Sequence, residues 1–240
     1  GAARGTGAIS TRRFWARPSA VVLGAIVVFA AAKLVDVAGF RRLWTFRSSE
    51  FLLALAALAG VLVFGILGGV VLAVALSVVE MLQRVARPHD AVMGFVPGLA
   101  GMHDVDDHPE ARTVPGLVVY RYDSPLFFAN ADDFRSKAIA AVDAAAVDEA
   151  AADGQVYWLL LNMEANVEVD ITAMYALEQL RTDLAGRGVV LALTRVKNDL
   201  RIPLEAFGLI DAIGEEFIFP TLPVAVHGYD LWMAEYGNQG

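Results

Sequence analysis

The chain has 240 residues, enough for one large domain or two small ones, and its two ends differ sharply in composition. Residues 1–90 carry ten Lys+Arg against four Asp+Glu and residues 91–240 carry nine against 23, so balances of +6 and −14 make up the net charge of −8. So acidic a rear part, with no cluster of Lys or Arg to neutralise phosphates, excludes nucleic acid as a partner, and the lack of cysteine excludes disulfides, thiolate chemistry and Cys-based metal sites. A basic, apolar front joined to an acidic, mixed rear suggests a membrane segment followed by a water-soluble domain.

Residues 1–17 are expected to be disordered, although Thr11-Arg12-Arg13 ahead of the Ala20–Ala32 run leaves open a twin-arginine leader and a secreted protein. The first apolar stretch runs from Ser19 to Val35, opened by Pro18 and interrupted near its end by Lys33. At helical rise this is ~25 Å, close to the hydrocarbon thickness of a bilayer, so residues 18–35 are expected to span it. Trp15 and Arg17 stand where interfacial anchors belong, and Lys33 can snorkel to the other face.

Phe51 to Val79 is a run of 29 residues without a charge, and the lack of any polar face over that length speaks against a buried helix of a soluble protein. As one straight helix it would measure ~44 Å, too long for a simple span. Gly65-Ile66-Leu67-Gly68-Gly69 concentrates the residue that most weakens helices, so two helices, 51–64 and 69–86, are expected to meet there. A hairpin also places Arg41, Arg42 and Arg47 on the same face as Arg84 and Arg87, as the positive-inside rule prefers.

Residues 87–116 read as a polar linker closed by Val114-Pro115-Gly116, and its Met102–His108 run, rich in His and Asp, reads as solvated charge rather than a metal site. Leu117–Arg121 and Pro125–Ala129 are expected to be short strands forming a hairpin, with Asn130 capping a helix to about Ala146. Val156–Leu161 and Val189–Leu193 suit buried strands, and Ile171 to Ala185 forms a helix with apolar positions at helical spacing. Lys197–Phe207 is helical but weakened by Pro203; Phe217–Phe219 is a last strand and Val224–Tyr236 a closing helix. The order implies a membrane α-helical segment followed by an α/β domain over 117–240, with a mixed, mostly parallel sheet of about five strands and about four helices.

No catalytic constellation emerges. Glu164, Glu168 and Asp170 share a loop without a partner base or nucleophile, His227 stands alone, Asp132 and Asp133 suit a helix N-terminus, and Gly186-Arg187-Gly188 reads as a helix stop. No enzyme, cofactor or metal is expected.

Taken together, several motifs in order resemble sulfate-permease (SulP/SLC26-type) anion transporters. Pro18-Ser19-Ala20-Val21-Val22-Leu23 is similar to the start of that family's third-last transmembrane helix, Asp36–Trp44 and Ser49–Leu55 to the link into its last two, and Gly65–Val70 to the turn between them. Arg87-Pro88-His89, Val118–Ala131 and Gly208–Gly214 resemble the entry into and passage through its cytoplasmic STAS domain. The resemblance implies the C-terminal part of a secondary-active sulfate or anion transporter in the cell membrane. Its partners would be the lipid bilayer and the rest of the transporter's membrane domain. It also implies a homodimer, and a cytoplasmic regulatory protein or a nucleotide at the STAS domain. Only three of the family's fourteen membrane segments are matched, so this chain alone should not transport and is expected to be a fragment or a truncated product. STAS domains of anti-sigma-factor antagonists carry a phosphorylatable Ser after an Asp at this helix start; here the run is Asp170-Ile171-Thr172, with Ile171 at the acceptor position and Thr172 as a replacement or a helix cap. That regulatory loop leaves a second reading open, a membrane-tethered STAS binding module of the anti-sigma-factor-antagonist type.

Overall fold

The computed structural model describes residues 16–34, 36–147 and 155–236, with the side chains of residues 16–20, 34 and 236 left aside. The expected disorder of residues 1–17, the Thr11-Arg12-Arg13 motif and the Trp15 anchor lie outside or at the margin of the described residues. The chain divides into two compact units, Gly1–Val78 and Val79–Gly240.

The first unit is helical. Helix α1 (Ala16–Leu34) is followed by α2 (Val37–Phe46), which the sequence reading treats as a link. Asp36 starts α2 as its N-cap, its Oδ1 accepting from Gly39 N–H at 2.8 Å. This short helix is amphipathic: Arg41 and Arg42 share it with exposed Val37, Trp44 and Phe46. Trp44 and Phe40 both meet Phe51 edge-to-face. Helix α3 (Ser48–Ala86) is broken at Gly65, whose φ of 76° and ψ of 177° no helix contains. The two arms then fold back on each other, and glycine makes the close approach possible. A Cβ on Gly69 would collide with the backbone of Val61, and one on Gly60 would lie 3.7 Å from Leu72 Cβ. Apart from Gly60 and Gly69 no described residue of α1 or the two arms is buried, and their apolar side chains are exposed or half-exposed.

The second unit is an α/β domain built on a six-stranded sheet in the order β2-β1-β3-β4-β5-β6, with strands β1 (Asp90–Phe95), β2 (Met102–Asp104), β3 (Leu117–Tyr122), β4 (Trp158–Asn162), β5 (Val190–Thr194) and β6 (Ile218–Phe219). β3 to β6 run parallel, while β1 is antiparallel to both β2 and β3. Helices α4 (Ala131–Val147), α5 (Ile171–Ala185), α6 (Asn198–Phe207) and α7 (Leu209–Ile213) supply the core on one face; α8 (Leu222–Tyr236) alone covers the other, where Leu222, Ala225 and Tyr229 pack on Trp158 and Leu160. Alternate residues of each central strand serve the two cores, which is why these strands read as unbroken apolar runs.

The fold class therefore holds, with four corrections of detail. The linker expected over 87–116 contains β1 and β2, so the sheet begins at Asp90 rather than Leu117; β1 shows no apolar–polar alternation, and in β2 only His103 separates buried Met102 from buried Asp104, too short a pattern to register as a strand. The strand expected at Pro125–Ala129 is a single bridge, Leu126 to Val169, since Pro125 cannot donate to a ladder. The opening hairpin is accordingly β1 with β2. Pro203 does not interrupt α6, which runs through it to a left-handed Gly208 (φ 83°).

A Cβ separation of 3.7 Å between positions 60 and 72 lies within disulfide range. In this cysteine-free chain a Gly60→Cys/Leu72→Cys pair should therefore close an intramolecular disulfide under mild oxidation, seen as a mass loss of about 2 Da and faster migration on a non-reducing gel. A continuous helix would hold the two positions ~18 Å apart and could not form the bond.

Candidate functional site

The loops that leave the C-terminal ends of β3 and β4 carry the Asp170-Ile171-Thr172 run, and three buried or half-buried polar side chains fix them. Asp170 is the N-cap of α5: its Oδ1 accepts from Ala173 N–H at 2.9 Å, and its Oδ2 accepts from Phe128 N–H at 2.7 Å in the neighbouring loop. One carboxylate thus ties two segments 42 residues apart. The bridge beneath it pairs Leu126 N–H with Glu168 O and Asp170 N–H with Leu126 O. Asn166, almost fully buried, donates to Tyr122 O at 3.1 Å and Ser124 O at 2.6 Å. Asn130 does not cap α4 as expected but turns back into the loop, its Oδ1 accepting from Phe127 N–H and its Nδ2 donating to Pro125 O.

With its capping role taken by Asp170, Thr172 stands exposed in the first turn of α5, and Ile171 beside it is 60% exposed. Phe128, tied to Asp170 through its backbone, is 70% exposed, and Tyr175, one turn along α5 from Ile171, is 57% exposed and packs edge-to-face on Phe207, so this edge gathers several exposed apolar side chains. The sequence points to Asp170 through cap chemistry; it gives no sign of Phe128, which reads as part of a strand.

The remaining candidates are distributed structurally. Glu164 pairs with Arg195 at 2.6 Å, Glu168 and His227 are exposed, and Asp133 accepts from the Tyr122 hydroxyl at 3.0 Å while pairing with Lys137. Lys137 also donates to Asp90 at 2.7 Å, and the Tyr120 hydroxyl donates to the same carboxylate at 2.9 Å, so the start of β1 is locked to β3 and α4. The acidic hairpin run is equally structural. His89 meets buried Asp104 at 2.8 Å, and His103 packs against His108. Among the described residues no three His, Asp or Glu groups converge to hold a metal ion.

The titration shifts point the same way. Burial, then the hydrogen bonds to Asp90 and Asp133, push the phenols of Tyr120 and Tyr122 far above their ordinary range. Burial would lower Lys137, but the Asp90 and Asp133 carboxylates outweigh it and hold the ammonium up. Burial would raise Asp104, but the Asp106 N–H and His89 hold its carboxyl down. Each of these groups moves away from neutral pH, the reverse of what a general acid or base requires. What the arrangement offers is a rigid edge with an apolar, exposed crown.

Residues 108–225 match the STAS domain family model. The chain is 59% identical over 207 residues to a probable sulfate transporter of Mycobacterium tuberculosis, covering 86% of this chain and 36% of that protein. It is 31% identical over 212 residues to probable sulfate transporter 4.2 of Arabidopsis thaliana, covering 85% of this chain and 30% of that protein. Among solved structures it resembles the murine anion transporter Slc26a9 in its inward-facing state, with a TM-score of 0.67 at 21% identity over 81% of this chain and 30% of that one. The chain spans about a third of the length of the curated relatives it matches.

Replacing Asp170 by Ala removes the cap and the tie to Phe128, and should cost ~1–2 kcal/mol, whereas Thr172→Ala should stay within ~0.5 kcal/mol. Denaturation of the full chain in detergent measures the difference, and faster hydrogen exchange at the Phe128 and Ala173 amides in the Asp170 variant locates it. Equal losses for the two variants would return the cap to Thr172.

Proposed function

This chain belongs with the SulP/SLC26-type anion transporters as the counterpart of their C-terminal part, and from that premise we propose that it completes a secondary-active sulfate or anion transporter whose STAS domain regulates transport from the cytoplasm. Its relatives are membrane transporters rather than enzymes. The observation that carries the reading is the succession within one chain of exposed apolar helices and an acidic, self-contained STAS domain.

In this reading α1 spans the bilayer, α2 lies along the cytoplasmic interface with Arg41 and Arg42 toward the headgroups, and the two arms of α3 cross and recross it with the Gly65 turn outside. Arm lengths support it: 17 residues before Gly65 and 21 after it make ~25 Å and ~31 Å of helix. The rest of the membrane domain supplies the anion site and the neighbours that cover these helices, and a second copy of the chain supplies a homodimer partner. The edge formed by Phe128, Asp170, Ile171, Thr172 and Tyr175 is where the STAS domain meets its regulatory partner. A regulator acting there changes flux only by contacting the inward- and outward-facing states differently.

Single cysteines report the topology. In intact cells a membrane-impermeant maleimide should label Leu67→Cys, at the turn, and should leave Gln179→Cys, exposed on α5, unlabelled until the membrane is opened. Labelling of Gln179→Cys in intact cells would put the STAS domain outside and end this reading, and so would a full chain that purifies monodisperse in buffer without detergent.

A further inference from the structure

The second face of the sheet, covered by α8 alone, holds a feature that neither the core nor the Asp170 edge uses. The register pairs Arg121 of β3 with Asn162 of β4, and Asn162 with Thr194 of β5, so these three polar residues form a row across the C-terminal ends of three parallel strands. They follow Val119, Leu160 and Ala192 on the same face, where an apolar layer turns abruptly polar. Beside the row lies a cavity of about 240 Å³, lined by Arg121, Asn162, Glu164 and Arg195 and walled by Met93, Met102 and Leu222. In open α/β sheets this position, outside the carboxyl ends of the strands, is where ligands are held.

Three observations mark it as built to bind. The Thr194 hydroxyl is completely buried and has no hydrogen-bond partner among the described residues, a state that native proteins rarely leave unexplained. Arg121 Nε, also buried, sits 2.8 Å from Asp123 Oδ1 but out of line for a hydrogen bond, so the pair neutralises charge without satisfying the donor. Arg195 has a left-handed φ of 59°, the only positive φ on a residue other than glycine among the described residues; its amide donates to Phe219 O and its guanidinium reaches Glu164 at 2.6 Å. Strain at the rim of the cavity, an unspent Arg121 donor in its lining and a stranded Thr194 hydroxyl beside Asn162 point together to a ligand site rather than to packing.

The chemistry selects the ligand's charge. Among the charged side chains that line the cavity Arg121 and Arg195 outnumber Glu164; around them Lys197, whose Nζ donates to Glu164 O at 2.9 Å, stands against Asp123, paired with Arg121, and buried Asp104, whose carboxyl the Arg121 charge helps to hold down. The N-terminal turn of α8, with Leu222 and Pro223 on the wall, adds the positive end of a helix dipole. The thioethers of Met93 and Met102 call for an apolar body beyond the charged group.

We propose that this crevice binds a small organic anion, its charged group held by Arg121, Asn162 and Arg195 and its apolar body lying against Met93, Met102 and Leu222.

Methionine methyl resonances test it directly, because the six methionines include two on the cavity wall and two, Met163 and Met174, in the core on the opposite face. In the full chain in detergent, labelled at methionine methyl carbons, benzoate should shift Met93 and Met102 saturably and leave Met163 and Met174 in place. Benzamide, which keeps the shape but not the charge, and inorganic sulfate, which keeps the charge but not the apolar body, should each act at least about tenfold more weakly. Arg121→Gln should weaken benzoate at least about tenfold and Arg195→Gln severalfold. Unchanged Met163 and Met174 resonances certify each variant's fold, and Arg195→Gln decides alone if Arg121→Gln fails that check. Still Met93 and Met102 resonances up to ~10 mM benzoate would overturn the proposal, as would an equal response to benzamide or to sulfate. None of these outcomes depends on the side of the membrane the domain occupies.

Discussion

The apolar side chains of α1 and of Phe51–Val79 have no polar face to turn toward water, and the rest of the chain is arranged around that constraint. In a soluble protein such helices would be buried; here Leu62, Ile66 and Leu67 are each more than three-quarters exposed at the end of a broken helix. Each fully buried aliphatic side chain is worth ~1.5–3 kcal/mol relative to water, so leaving this many in solvent would exceed the whole stability of a domain. Lipid and neighbouring helices are the media that resolve it. Glycine then does at Gly60 and Gly69 what apolar attraction cannot do in hydrocarbon: it lets two backbones approach, so that close packing holds the arms together.

The soluble domain solves a different problem, that of fixing loops at the ends of parallel strands. Asp170 and Asn166 each bond backbone groups 42 residues away and Asn130 closes its own loop onto Pro125 and Phe127, so the polar groups of the loops are satisfied without secondary structure. Such bonds are worth most where water is excluded, because removing one partner strands the other in a dry site. An anti-sigma-type switch works at this helix start through a phosphorylated hydroxyl. In this chain the acceptor position holds Ile171, and the capping carboxylate is already committed to two amides. The edge is accordingly suited to being recognised as a shape, with Phe128 and Tyr175 as its projecting apolar groups, rather than to being rewritten by charge.

Much of this was legible in the sequence. The central strands, Trp158–Asn162 and Val190–Thr194, announced themselves as uninterrupted apolar runs, and α5 by its apolar spacing, because burial on both faces or on one stripe leaves a local pattern. Gly65 was legible as a break since three glycines within five residues oppose any helix. β1 and β2 were not: Met102-His103-Asp104 looks like solvated charge, and only its antiparallel pairing with Met93–Phe95 buries Met102 and Asp104. Phe128 was misread for the same reason, its role being set by a hydrogen bond to Asp170 that lies 42 residues ahead. Pairings across the fold carry no signature in the residues around them.

The row of Arg121, Asn162 and Thr194 belongs to that second kind of information, since nothing in the three strands read singly sets their last residues side by side. The strands need apolar residues through their middles to hold the sheet, yet each turns polar at its C-terminal end on the face that only α8 covers. If stability alone governed these positions, a buried valine in place of Thr194 would be the better choice, because a hydroxyl without a partner costs more than a methyl group. A polar row kept in a dry place, beside an arginine held in a strained conformation, is a departure from the local rules followed elsewhere in the sheet. Departures of that kind concentrate where a protein meets something other than itself. An occupant there could alter a regulated transporter only to the extent that its affinity differs between transport states, and a tenfold difference corresponds to ~1.4 kcal/mol. That is about the strength of one charge-assisted hydrogen bond made in one state and lost in the other, which Arg195, lining the cavity and paired with Glu164, is placed to supply.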